Sequence, residues 1–310
     1  MALSDYPIHH FRKNEASLVF PAELWQVDQP PEELHVQGKD SALALLSCLR
    51  ERGLAVVGTR RPQARSLRII GNAMEDLKGT DLIILSGLAL GIDAKAHEAA
   101  LEAGLPTVAI LGGGIDRPYP RENIPLMERI LASGGLVVSE FPMGSTPRPH
   151  HFLKRNRLIG AWPKAVWVVE ASFRSGALNT ACWARDHHRY CLATPCFPGD
   201  PALAGNQKLL DEDHAITFWN VGSLGIAWLS LASKGRRKQG TSSTRDDATD
   251  EAILALEVEK QTTERGGAQV SSLLDWALAR GWAPGKFFQA LQKAIEEKLV
   301  LDEEGILVRN

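Results

Sequence analysis

A chain of 310 residues, 44% hydrophobic and 23% charged, can bury one large core and a smaller one, and its formal net charge of −2 gives no global attraction for nucleic acid. The N-terminal stretch MALSDYPIHHFRKNEASLVF lacks the basic start, apolar middle and small-residue cleavage site of a secretory signal, and the apolar stretch Phe218 to Ala232 is too short to span a bilayer. Cys48, Cys182, Cys191 and Cys196 form no C-x-x-C pair, so the expectation is a soluble, cytoplasmic protein with reduced thiols.

In chain order, residues 1–50 read as an N-terminal segment interrupted by Pro21, Pro30 and Pro31. A core then runs over residues 51–232, where apolar runs bounded by glycine recur at Leu54 to Val57, Leu82 to Leu85, Thr107 to Leu111, Leu136 to Val138 and Val166 to Val169. Each is short enough for a buried strand. Helical patterns lie between or after them, at Ser66 to Leu77, Ala94 to Ala103, Asn123 to Ala132 and Asn179 to His187. The alternation predicts an α/β fold, a mostly parallel sheet with helices on both faces. Right-handed crossovers put the loops GTRRP, SGLALGID, GGGIDRPYP, SEFPMGSTP and EASFRSGALNTA on one edge, around one crevice. Residues 233–250 read as a polar linker, and residues 251–310 as a small domain with a capping box at Ser272 and Asp275. In that domain Phe287, Leu291, Ile295 and Leu299 mark a helix face, and a hairpin turns at Glu304 and Gly305.

The loops carry the chemistry. Glycine at a strand exit allows close backbone approach, and the helix that follows presents unpaired N–H groups to an anion. Gly58 and Thr59, Ser86 with Gly87 and Gly91, Gly112 and Gly114, and Ser175 with Gly176 are therefore candidates for a phosphate-lined groove. Neither G-x-x-x-x-G-K-[ST] nor G-x-G-x-x-G occurs, so nucleotide hydrolysis and dinucleotide binding lack their signatures, and no cofactor is expected. Two acid-free clusters supply positive charge. Residues 54–74 hold Arg60, Arg61, Arg65 and Arg68, and residues 148–157 hold Arg148, Lys154, Arg155 and Arg157. Arg60 follows Gly58 and Thr59 and can clamp a phosphate. In FLKRNR, Phe152 offers a ring to a base, Lys154, Arg155 and Arg157 track a backbone, and Asn156 bonds phosphate or base. Each has a structural alternative: Phe152 in the core, Arg157 paired with Glu170, Asn156 capping the next element. Arg60 and Arg155 are both expected at an exposed loop edge.

Asp93, His97, Glu140 and Glu170 fall near the crevice and read as scaffold that holds loops and guanidinium groups. Ser139 and Ser175 have no adjacent base, so no catalytic residue is assigned. The pairs His9/His10, His150/His151 and His187/His188 lack metal-ligand spacing, and no metal site is expected.

The ordered stretches VVGTRRP, LSGLALGIDAKAHEAAL, TVAILGGGIDRPYPRENIPL, GGLVVSEFPMGSTPRPHHFLKRNRLIGA, VWVVEASFRSGALNTACWA and FPGDPALAGNQKLL, over residues 54–217, resemble the DNA-processing protein A family, DprA/Smf. The resemblance implies an extended Rossmann-like core that binds single-stranded DNA, forms a homodimer and, without being an enzyme, loads RecA recombinase onto incoming strands in natural transformation. It also implies a C-terminal winged-helix-like domain. Residues 251–310 carry seven Lys or Arg against ten Asp or Glu, the wrong sign for reading DNA, which favours a protein-contact role. The chain departs from the family in TPCFPGDP, in Asn179 and in His214 with Ala215, and its first fifty residues show no SAM-like helical domain. The alternative function is a SLOG-type nucleotide-ligand sensor or a nucleotide-processing enzyme of a mobile or defence locus. A P-G-G-x-G-T-x-x-E hydrolase motif is absent.

Overall fold

The computed structural model describes residues 3–13, 27–196, 199–218 and 220–221, with strand residues 268–269, 300–303 and 306–309. The chain divides into two compact units, Met1–Ser223 and Leu224–Asn310. The division precedes the polar linker expected at residues 233–250, which lies outside the described residues together with the helices expected after it.

The first unit is built on a nine-stranded sheet. Its strands are β1 (Ile8–Arg12), β2 (Glu33–Gln37), β3 (Gly53–Gly58), β4 (Ile83–Ser86), β5 (Thr107–Leu111), β6 (Leu136–Ser139), β7 (Ala165–Glu170), β8 (Tyr190–Ala193) and β9 (Ile216–Thr217). The order across the sheet is β1-β2-β6-β5-β4-β3-β7-β8-β9. Strands from β6 to β9 in that order pair in parallel, and β2 and β1 extend the β6 side as antiparallel strands. The N-terminal segment thus joins the sheet. Its short polar strands, IHHFR and ELHVQ, lack the long apolar run by which the parallel strands are recognised.

The helices are α1 (Ala44–Arg52), α2 (Ala64–Asp76), α3 (Ile92–Glu102), α4 (Ile124–Ala132), α5 (Pro149–Ala161), α6 (Gly176–Asp186) and α7 (Ala204–Asp211). Strand alternation sends Ala55, Val57, Val108, Ile110, Val166 and Val168 to the face covered by α1, α5 and α6. Ala109, Leu111 and Val137 point the other way, toward Leu126, Met127, Ile130 and Leu131 of α4 and Ala94 and Leu101 of α3. Both faces are covered by helices, as the apolar runs require.

From β3 the chain winds outward through β4, β5 and β6, and α5 then carries it back to β7 on the far side of β3. The strand order reverses there, so the carboxyl ends of β3 and β7 flank the crevice that such a reversal opens in α/β sheets. Helix α5 was not legible as a helix in the sequence. It starts with Pro149 in its first turn and buries Arg155 and Arg157 beside Leu158 and Ile159, so two of its inward positions read as polar.

In the second unit the described residues form a three-stranded antiparallel sheet of β10 (Ala268–Gln269), β11 (Val300–Glu303) and β12 (Ile306–Arg309), in the order β10-β12-β11. Glu303 pairs with Ile306, and the turn expected at Glu304 and Gly305 lies outside the described residues. No described helix is long and apolar enough to cross a membrane.

Candidate functional site

A crevice of about 610 Å³ opens at the strand-order reversal. Gly58, Thr59 and Arg60 line it from the loop after β3, Ala89 from the loop after β4, Asp93 from the first turn of α3, and Tyr119 from the loop after β5. Pro147 enters from the loop after β6, and Ser172, Ser175 and Gly176 from the loop after β7. One wall is α5, which contributes Phe152, Leu153, Arg155 and Asn156. All five loops expected at one edge therefore reach a common space.

Two guanidinium groups converge on one ring. The Cζ of Arg60 lies 5.4 Å from the centroid of Phe152 and the Cζ of Arg155 lies 6.0 Å from it, both within cation–π range. Tyr119 adds a second ring 5.9 Å from the first. Sequence reasoning passed over Tyr119, although an aromatic in a loop at a strand's carboxyl end was signal enough.

Arg60 is exposed, whereas the exposed position expected of Arg155 is corrected: the side chain is buried, at 4% exposure. Its Nη1 donates to the carbonyl oxygens of Gly87, at 2.8 Å, and Ile110, and its Nε donates to Asn156 Oδ1 at 3.3 Å. Burial, with Arg60 nearby, lowers its pKa to about 10, and Asp93 and Glu140 oppose the shift. The group stays charged at neutral pH.

The expectation that SGLALGID forms an open phosphate cradle is also corrected. Asp93, in the first turn of α3, accepts from Gly87 N–H at 3.2 Å and Ala89 N–H at 3.4 Å, so an internal carboxylate takes the amides that an anion would have met. Burial raises the pKa of Asp93, and the charge of Arg155 and those two amides act against the rise. The two glycines of the loop have packing reasons. A Cβ on Gly87 would sit 2.5 to 2.6 Å from the guanidinium of Arg155, and Gly91 holds φ of +83° while packed against Thr59 O. Ser86 donates to Val56 O at 2.6 Å and is fully buried.

The remaining predicted residues divide by location. Gly112 is buried beneath Phe152, and Gly114 N–H donates to Ser145 O at 2.9 Å. Ser175 caps α6 by accepting from Ala177 N–H, and Gly176 O accepts from Asn156 Nδ2 at 3.3 Å. Arg157 does not face a strand-binding surface, nor does it pair with Glu170. It is buried in a two-pronged pair with Glu140, both contacts 2.6 Å, and donates to Gln29 O at 2.8 Å. Lys154 reaches the same Glu140 at 3.4 Å from a half-exposed position. Glu170 accepts from Gln63 N–H at 2.9 Å, at the start of α2.

His97 is fully buried on α3, with Nδ1 2.7 Å from Thr107 Oγ1, and burial together with Arg155 pushes its pKa down to about 3. Asn206, not singled out in the sequence, crosslinks the strand ends beneath the site: Ala171 N–H donates to its Oδ1, and its Nδ2 donates to the carbonyls of Val168, Val169 and Thr194. Among the described residues, the large apolar side chains that are exposed are Leu90, Tyr119, Met143, Leu153 and Phe173. All five sit on the crevice loops or the first turns of α5.

The chain was compared with known proteins for family and fold. The DNA processing protein DprA of Mycobacterium tuberculosis is 44% identical over 167 residues, which cover 54% of this chain and 43% of that protein. The chain thus spans about half the length of the curated relatives it matches. The crystal structure of DNA processing protein A from Streptococcus pneumoniae superposes with a TM-score of 0.63 at 32% identity, over 72% of this chain and 74% of that one. DNA processing protein A from Helicobacter pylori gives 0.62 at 26% identity, over 74% and 98%. Residues 14–226 match the family model for DNA recombination-mediator protein A, and the chain belongs to that family.

Proposed function

We propose that the crevice binds single-stranded DNA and that the chain is a recombination mediator, not an enzyme. The observation that carries this reading is the convergence of Arg60 and Arg155 on Phe152 at the strand-order reversal. Two cations beside a stacking ring suit a polyanion with bases, and base–aromatic stacking contributes about 1–3 kcal/mol per base without demanding a sequence. The exposed apolar side chains around the crevice extend the surface on which bases lie. The relative from Helicobacter pylori is described with a single-stranded DNA binding mode, which supports the same ligand here.

The crevice offers little for acid–base chemistry. Asp93 faces Arg155 and two amides, Glu140 is held by Arg157 and Lys154, and Glu170 by an amide. In this reading a cytoplasmic homodimer coats incoming strands and loads RecA on them. The first unit, Met1–Ser223, carries the DNA-binding crevice, and the acidic residues 251–310 contact protein.

Fluorescence anisotropy with oligonucleotides of increasing length, against mononucleotides, tests the ligand. Affinity should rise with length and fall with salt, and Arg60→Ala should flatten the salt slope by about 0.7, the share of one phosphate no longer neutralised. Mononucleotide binding as tight as that of a long strand would replace this reading with a nucleotide sensor. RecA filament growth on coated strands, measured with and without the protein, tests loading; equal rates would remove that part.

A further inference from the structure

The antiparallel pairing of β1 with β2 sets His10 directly opposite His35. Side chains 25 residues apart in sequence thereby meet: His10 Nδ1 lies 2.8 Å from His35 Nδ1 and 3.7 Å from Glu33 Oε1. One ligand atom from each of the three lies within 4.8 Å of the others. A tetrahedral ion with bonds of about 2.0–2.1 Å holds its donors about 3.3 Å apart, and the two measured separations straddle that value. The rings stand edge to face at 89°, so the nitrogens approach without stacking.

We propose that His10, Glu33 and His35 form a site for a divalent transition-metal ion of the zinc type, which clips β1 to β2. Two imidazoles and a carboxylate are the donor set such an ion takes. Three protein ligands leave a fourth position for water, which has access because the side chains of His10 and Glu33 are 50% and 31% exposed. Arg12 approaches Glu33 Oε1 at 3.9 Å from an exposed position and can swing aside.

The location gives the ion a purpose. β1 is the edge strand of the sheet, and β2 links it to β6, with His35 in register with Ser139 at the start of the loop that carries Glu140. A metal bond across β1 and β2 fixes the register of a short polar strand that has little apolar surface to fix it.

The test uses the full reduced chain, stripped with a chelator and titrated with Zn²⁺ against a chromophoric competitor, then with Co²⁺. One ion per chain should bind, with affinity at least about tenfold weaker in His10→Ala and in Glu33→Gln. The Co²⁺ form should show the visible bands of a tetrahedral nitrogen and oxygen site without thiolate charge transfer. In the unsubstituted chain, Zn²⁺ should slow amide exchange across Ile8–Arg12, a readout that needs no variant. Unchanged affinity in either variant, a thiolate band that assigns the ion to cysteine, or unaltered exchange in β1 would each overturn the site.

Discussion

Replacing Arg155 by methionine separates the charge of this side chain from its volume. The guanidinium is buried, donates to the carbonyl oxygens of Gly87 and Ile110, and opposes the buried charge of Asp93. Breaking a buried ionic arrangement by removing one member costs about 3–5 kcal/mol, because the other is left uncompensated. Asp93 keeps its two amide donors, so the lower end applies, about 3 kcal/mol out of a total of about 5–15 for a domain. Urea unfolding followed by circular dichroism should show a lower midpoint with an unchanged slope. Adding Asp93→Asn should restore part of the loss, since it removes the stranded charge. Arg60→Ala should stay within about 0.5 kcal/mol of the parent, because that side chain is exposed. Arg155→Met within about 1 kcal/mol of the parent, or a double variant no more stable than Arg155→Met, would refute the account.

The other predictions rest on separate contacts. Glu140→Gln leaves the buried Arg157 without its two-pronged partner and should destabilise the first unit by about 3 kcal/mol, read as a lower urea midpoint. His97 has its pKa pushed from 6.5 down to about 3, so the unfolded chain takes up the proton first. Its contribution to stability is complete above pH 6.5 and is lost toward pH 3 at about 1.4 kcal/mol per pH unit. His97→Gln should remove that slope and leave the curve above pH 6.5 parallel to the parent; equal slopes below it would disprove the buried neutral state. Gly112→Ala places a Cβ 2.6 Å from Phe152 Cδ1 and should shift the ring from between the two arginines. Oligonucleotide affinity should fall by about 1–3 kcal/mol, the worth of one stacked base, and unchanged anisotropy curves would remove Phe152 from the interface.

The parallel strands β3 to β7 and the helices α2, α3, α4 and α6 were legible because both rest on apolar periodicity that a fully covered sheet imposes on sequence, whereas β8, β9, α1 and α7 were not read. What escaped was set by partners distant in the chain. Helix α5 turns Arg155 and Arg157 inward, and no pattern of polarity predicts a helix whose buried face carries guanidinium groups. The pairing of Arg157 followed from the placement of β6, whose end brings Glu140 to it and leaves Glu170 to the start of α2. Strands β1 and β2 were hidden because strands this short and polar at the margin of a sheet draw their order from pairing. The histidine and glutamate cluster was hidden with them: helical ligand spacing was the wrong period for residues that meet across two strands.

The fate of the SGLALGID amides bears on which ligand the crevice suits. A site for one nucleotide concentrates backbone N–H groups on one phosphate at a helix start, where they act together. Here Asp93 closes that position by accepting from Gly87 and Ala89, and attraction for an anion falls to side chains, chiefly exposed Arg60 and buried Arg155. With a net charge of −2 and screening over about 8 Å at physiological salt, distant residues add little to that attraction. Two cations beside a ring give modest affinity for any one nucleotide, whereas the apolar side chains exposed along the same edge repay a ligand that extends past the crevice. A strand gains contacts with each base it lays down, and a mononucleotide does not. In the proposed reading the internal carboxylate favours length over phosphate recognition, and Asp93→Ala, which frees the two amides, should raise mononucleotide affinity relative to that of a long strand. A ratio left unchanged in paired anisotropy titrations would separate Asp93 from ligand choice.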